Sequence, residues 1–154
     1  MTIELELQIA TNAKTLPHPS QFREWVSATF WQRLDTAELT IRLVDTEESA
    51  QLNQEFRQKS GPTNVLSFPY EPLPGIISSF LGDIVICASL VESEAEAKNK
   101  QLLAYWAHMV VHGALHLLGY DHETLEDSNE MEAIETEIML RLGFPPPYGE
   151  LIVS

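Results

Sequence analysis

Four of the five histidines in the chain, His108, His112, His116 and His122, lie between positions 108 and 122. Residues four apart share one helix face, one turn up. His112 and His116 can therefore direct two imidazoles at one point, as the paired helical ligands of zinc hydrolases do. Gly119 lets the chain turn back, Tyr120 and Asp121 carry it round, and His122 can return to the same point. Three neutral imidazoles leave the fourth position of a tetrahedral zinc ion to water, which is the catalytic rather than the closed structural arrangement. His108 precedes His116 by about 12 Å along a helix, too far for one ion to bridge with bonds of roughly 2 Å. Two readings of it stay open: a residue lining the pocket one turn below the metal, or a core histidine bonded to a backbone carbonyl. A lone histidine on an apolar helix is usually a satisfied core residue. Several buried rings without partners would cost about 1–3 kcal/mol each, and a shared ion satisfies them together.

The string from His112 to His122, HGALHLLGYDH, has the histidine and glycine spacing of the metzincin proteases. Gly113 stands where those proteases carry their catalytic glutamate, so peptide hydrolysis would lack its general base. Met131 falls in a helical stretch between Glu130 and Glu132 rather than in a tight turn. The cage is protease-like and the chemistry is not. A zincin-type peptidase is the first competing reading. A non-enzymatic assembly factor stabilised by a metal is the second, distinguished by a fourth protein ligand closing the ion off.

Other residues carry weaker signals. Arg57 and Lys59 form a basic pair that is either solvated charge at a helix end or a clamp on phosphate oxygens. Asn64 and Ser67 are read as satisfying backbone groups rather than binding substrate. Asp83 interrupts an apolar strand, either to orient a histidine through its second ring nitrogen or to pair with Arg57. Asp121 is read as holding His122 in place, ahead of a role as proton acceptor. Residues 123–137 hold seven acids and no Lys or Arg, and are read as a solvated helix face with Met131, Ile134 and Ile138 as its buried stripe.

The elements that must position these residues follow from hydrophobic period. Ile3, Leu5, Leu7 and Ile9 alternate as in a half-buried strand, as do Leu39, Ile41 and Leu43. Between them Ser20 is expected to cap a helix bearing Phe22, Trp25, Val26 and Phe30. Asp45, with Glu48 completing a capping box, is expected to start a helix running to about Gln58. Short strands are expected over Asn64–Phe68 and Leu81–Cys87, then a polar helix from about Ser89 to Asn99. Leu102–Leu118 is apolar all round, the mark of a buried helix, and Gly119 ends it. A last helix is expected over Leu125–Leu142. Strands followed by a helix-rich C-terminal half predict an α+β fold: one layered domain over 1–154, with a small mixed sheet against helices and the histidine motif on the buried central helix.

Hydrophobic residues at 44% and charged residues at 21% exclude a disordered chain. With 23 acids against 9 bases, a formal charge of -14, bulk charge cannot hold a large anionic partner. Cys87 is the lone cysteine, so an internal disulfide is impossible and a reducing cytoplasm is expected. Met1–Ala10 lacks the basic start and apolar run of a signal peptide, and no membrane span is expected.

HGALHLLGYDH resembles the signature of the YbeY family, bacterial endoribonucleases of ribosomal RNA maturation. LNQEFRQKSGPTNVLSFPY (Leu52 to Tyr70) and LGDIVI (Leu81 to Ile86) match further, in the family's order, so the resemblance covers roughly residues 38 to 143. The chain departs from the family at Ser60-Gly61, where an acidic residue typically precedes the Pro-Thr pair. The resemblance implies one zinc ion per chain on His112, His116 and His122, and cleavage of single-stranded RNA. It implies processing of small-subunit ribosomal RNA, ribosome quality control, and ribosome-associated protein partners, with neither DNA nor membrane expected. The family's functional arginine falls on Arg57; Lys59 stays open as a second substrate contact. Acids after His122 would repel RNA, so substrate is expected from the Arg57 side.

Overall fold

The computed structural model describes residues 1–148; the last six positions of the expected 1–154 domain lie outside the described residues. The elements run β1 (Thr2–Ala10), α1 (Pro19–Phe30), β2 (Thr36–Val44), α2 (Thr46–Arg57), β3 (Val65–Pro69), β4 (Phe80–Cys87), α3 (Ala88–Ala97), α4 (Leu102–Leu117) and α5 (Leu125–Arg141). The strands form one mixed sheet in the order β1-β2-β4-β3. β1 and β2 pair in parallel, as do β2 and β4, while β3 is antiparallel to β4. The fold is α+β, as the sequence predicts.

Strand alternation gives the sheet two faces. Ile3, Leu39, Ile41, Leu43, Ile84 and Ile86 belong to the main core with Phe22, Trp25 and Trp106 from α1 and α4. The other face is polar along Glu6, Thr40 and Asp83, and a small apolar cluster of Val44, Leu66 and Val85 gathers Leu52 of α2 onto it. α4 is buried nearly all round, including Trp106, Val110, Val111, Ala114 and Leu115, as its uniform apolarity demands.

Two helix starts differ from expectation. α1 is capped by His18, whose ring accepts the Ser20 N–H at 3.1 Å while Gln21 accepts the His18 N–H at 2.8 Å. Pro19, with no N–H and φ preset for a helix, takes the first helical position and moves the cap ahead of Ser20. Asp45 does precede α2, but its side chain makes no cap bond. Its carboxylate accepts from the Thr11 hydroxyl at 2.5 Å and the Asn12 N–H at 3.3 Å, and Glu48 pairs with Arg42 Nε at 2.6 Å instead of closing a capping box.

Two glycines let the site form. Gly82 has φ +140° and a Cβ there would lie 2.2 Å from the Phe68 carbonyl oxygen, so only glycine lets β3 close on β4 at this point. At Gly113 a Cβ would stand 2.8 Å from Ile84 Cγ2 and 3.2 Å from Ser67 Oγ, which brings α4 tight against the sheet. Gly113→Ala would gain about 1 kcal/mol of helix propensity but overpack the interface by about 1–3 kcal/mol. The expected result is a lower thermal midpoint, measured by circular dichroism; a midpoint equal to or above the parent's would contradict this packing.

Candidate metal centre

His112 and His116 lie on the exposed-edge face of α4 near its C-terminus, and His122 follows the turn at Gly119, whose φ is +99°. Leu115 O accepts the Tyr120 N–H at 3.2 Å and His116 O the Gly119 N–H at 3.0 Å, a left-handed closure that returns the chain toward the helix. Ring centroids are 4.6 Å apart for His112 and His116, 5.6 Å for His112 and His122, and 5.1 Å for His116 and His122. One ring nitrogen from each lies within 4.8 Å of the others. The three rings converge, and the negative end of the α4 dipole favours a cation there.

His112 Nε2 and His116 Nε2 face each other at 3.1 Å. Two bonds of 2.0–2.1 Å at a tetrahedral angle put ligand nitrogens about 3.3 Å apart. The outer nitrogen of His112 is already engaged: its Nδ1 lies 3.4 Å from Glu135 Oε2. If both outer nitrogens carry the proton, both inner ones present lone pairs at close range, and a shared cation resolves that repulsion. The donor set fits a metal ion. Among the described residues no fourth His, Cys, Asp or Glu joins this trio.

Burial first, then the charge of His112, holds the His116 imidazole down at about 4. Between pH 4 and 6.5 the unfolded chain binds the proton that folded His116 refuses, so this contribution to stability is complete above about 6.5 and is lost as pH falls toward 4. Metal-free protein is expected to lose thermal stability across that window, and His116→Gln to flatten the loss. Identical pH profiles would show that His116 does not cause it.

Glu135 is the residue that the sequence pattern conceals. It sits within the acidic run read as solvent-facing, yet it is 1% exposed. His108 Nε2 lies 2.5 Å from its Oε2, and the Tyr148 hydroxyl donates to both of its oxygens, at 2.9 and 2.8 Å. Burial alone would raise its pKa, but the bonds to His108 and His112 more than reverse this and hold it below the usual carboxylate range. It fixes the His112 ring so that Nε2 faces the trio, the outer-partner arrangement of metal-binding histidines. A signal was present: Met131, Glu135 and Ile138 follow helical spacing and all three are buried.

His108 is thereby placed. It is buried, bonds a carboxylate rather than a backbone carbonyl, and stands one residue removed from the trio. Its Nδ1 finds no partner among the described residues, which suits the tautomer with the proton on Nε2. Asp83 is not where either expectation put it. It faces the polar side of the sheet beside Thr40 and Glu6, where burial raises its pKa, while α4 packs on the opposite, Ile84 face. Strand alternation therefore separates it from the histidines. The Asp121 carboxylate accepts the Glu123 N–H at 3.3 Å, closing its own turn rather than holding His122.

A cleft of about 590 Å³ opens on the trio, lined also by Arg57, Lys59, Asn64, Ser67 and Asp121. Arg57 Nη2 donates to the Ser67 carbonyl at 2.9 Å, which ties the end of α2 to the edge strand β3. Ser67 Oγ in turn donates to the Gly113 carbonyl at 3.0 Å. Asn64 spends its side chain on the Val65 N–H at 2.7 Å and on Glu94 at 3.0 Å. Both polar residues satisfy protein groups while forming the cleft wall.

Fold and site together define an α+β protein with a three-histidine centre able to hold a metal ion beside an arginine-walled cleft. The profile of the family described as Endoribonuclease YbeY matches residues 7–143, and the chain belongs to that family. The match begins well before residue 38, where the motif strings placed the start of the resemblance, and takes in the end of β1 and all of α1. The chain is also similar to the solution structure of TM1509 from Thermotoga maritima, at 25% identity and a TM-score of 0.59, covering 96% of this chain and 99% of that one.

Proposed function

We propose that this protein is a zinc-dependent endoribonuclease specific for single-stranded RNA, acting in the cytoplasm on small-subunit ribosomal RNA and in ribosome quality control, with ribosome-associated proteins as partners. Membership of the endoribonuclease family supports RNA cleavage. The observation that carries the chemistry is the convergence of His112, His116 and His122 on the same cleft as Arg57. Among the described residues no helix is long and apolar enough to cross a membrane.

His112, His116 and His122 would hold the ion, whose Lewis acidity is worth several kcal/mol of transition-state charge stabilisation when bound. Arg57 would share that work. With Nη2 held on Ser67, the rest of its planar fork can pair with phosphate oxygens as negative charge grows on them. Lys59 adds a point charge on the same wall. Glu135 keeps His112 in register throughout. The nucleophile is either water or the substrate's own 2'-hydroxyl, and the product ends report which: a 2',3'-cyclic phosphate excludes water from the cleavage step.

A peptidase finds less support. Position 113 is glycine and carries no carboxylate, and a Cβ there would already stand 2.8 Å from Ile84 Cγ2, so the general base of the metzincin pattern is missing. The edge-strand carbonyl of Ser67 is already taken by Arg57. The deciding experiment is incubation of defined single- and double-stranded RNAs with metal-verified protein and with His116→Ala, mapping the ends. Single strands should be cut by the parent alone. Equal cleavage by both proteins, or by neither, would overturn the proposal.

A further inference from the structure

A second cavity, of about 200 Å³, adjoins the histidine cleft and shares Asn64, Val65 and His112 with it as a common wall. Lys98 and Lys100 line it beside Tyr105 and Tyr148. Among the described residues no carboxylate lines it, although the chain carries 23 acids against 9 bases. Both ammonium groups lie over a single ring, Lys98 Nζ at 5.3 Å and Lys100 Nζ at 6.0 Å from the Tyr105 centroid.

These two like charges are only partly answered. Lys98 Nζ donates to the Tyr105 hydroxyl at 3.2 Å, and that hydroxyl donates to Glu94 at 2.7 Å, so the nearest acid acts through the phenol. Lys100 Nζ donates to the Pro147 carbonyl, a neutral acceptor. Other cations of the chain are engaged away from the site: Arg42 on Glu48, Arg23 on the Ile3 carbonyl, Arg141 on the Ala28 carbonyl. Arg57 and Lys59 line the first cavity and Lys98 and Lys100 the second, so four of the nine bases flank the wall that His112 forms. Four bases along one path give this acidic protein a local stretch of positive charge suited to a polyanion.

We propose that Lys98 and Lys100 form a phosphate subsite for the same single RNA strand, holding a phosphodiester that flanks the one at the histidine trio. The strand then crosses from the Arg57–Lys59 side, past His112, into the lysine cavity. This subsite rests on the nuclease function proposed above.

The test uses the full chain with its metal content verified, carrying Lys98→Gln and Lys100→Gln together, on single-stranded oligoribonucleotides of increasing length. KM for the longest substrate should rise roughly tenfold, more than kcat falls, and the slope of log affinity against log salt should drop by about 0.7 for each phosphate no longer neutralised. The penalty should grow with length, and Lys98→Arg with Lys100→Arg should restore affinity because the charge returns. Parent-like KM and salt slope in the glutamine protein would overturn the subsite. So would a loss equal at every length, or failure of the arginine protein to recover despite a parental thermal midpoint. If the parent itself cuts none of the oligonucleotides, the nuclease function falls first, and that result is read from the parent alone.

Discussion

His112→Ala is expected to bind no stoichiometric metal and to cleave no RNA. The substitution removes one of only three side chains in the trio. It also removes the ring through which Glu135 reaches the centre, at 3.4 Å. Loss of an outer partner alone typically costs 10–100-fold in metal affinity, and loss of a ligand should exceed that. Glu135 would keep His108 and Tyr148 as partners, so the fold should survive and the loss should be local. Metal content by elemental analysis, alongside cleavage of a single-stranded substrate, checks both halves. Full activity in a protein verified to be metal-free would refute the scheme outright. Glu135→Gln supplies the graded comparison: the shape is retained, the charge on the His112 partner is gone, and metal affinity should fall within that 10–100-fold range.

Arg57→Glu should do the opposite, leaving metal in place while abolishing most turnover. Arg57 is not part of the trio, and its bond to the Ser67 carbonyl uses Nη2 alone, which leaves the rest of the fork for a phosphate. Removing one donor from a developing oxyanion typically costs about 10²–10³ in kcat, and a carboxylate in its place adds repulsion against an anionic substrate. Arg57→Lys should recover only part, because an ammonium is a point charge without the planar fork. Single-turnover cleavage with parallel metal analysis separates the two effects. Unchanged turnover in the glutamate protein would remove Arg57 from the mechanism.

The two substitutions differ in how visible their targets are along the chain. His112 and His116 announce themselves through a four-residue step on a helix that ends at Gly119, an arrangement contained within eleven consecutive residues. Glu135 lies 27 positions from His108 and 23 from His112. Nothing local distinguishes it from the six other acids around it except that it falls on the Met131–Ile138 stripe. Asp83 shows the converse: its place in an apolar strand invited a role with the histidines, but alternation put it on the other face of the sheet.

Local sequence decided the periodicities: which residues share a helix face or a strand face, where Gly119 turns the chain, and hence which two imidazoles must point together. These are short-range matters of 3.6- and 2-residue repeats and glycine φ. Tertiary structure alone decided which faces meet. Gly113 seated α4 on Ile84, α5 carried Glu135 inward to His108 and His112, and α2 ended where Arg57 could reach β3. A repeat defines a face relative to its own axis and holds no information about the partner it packs against, so the centre's carboxylate and its arginine wall emerge only when the elements are assembled.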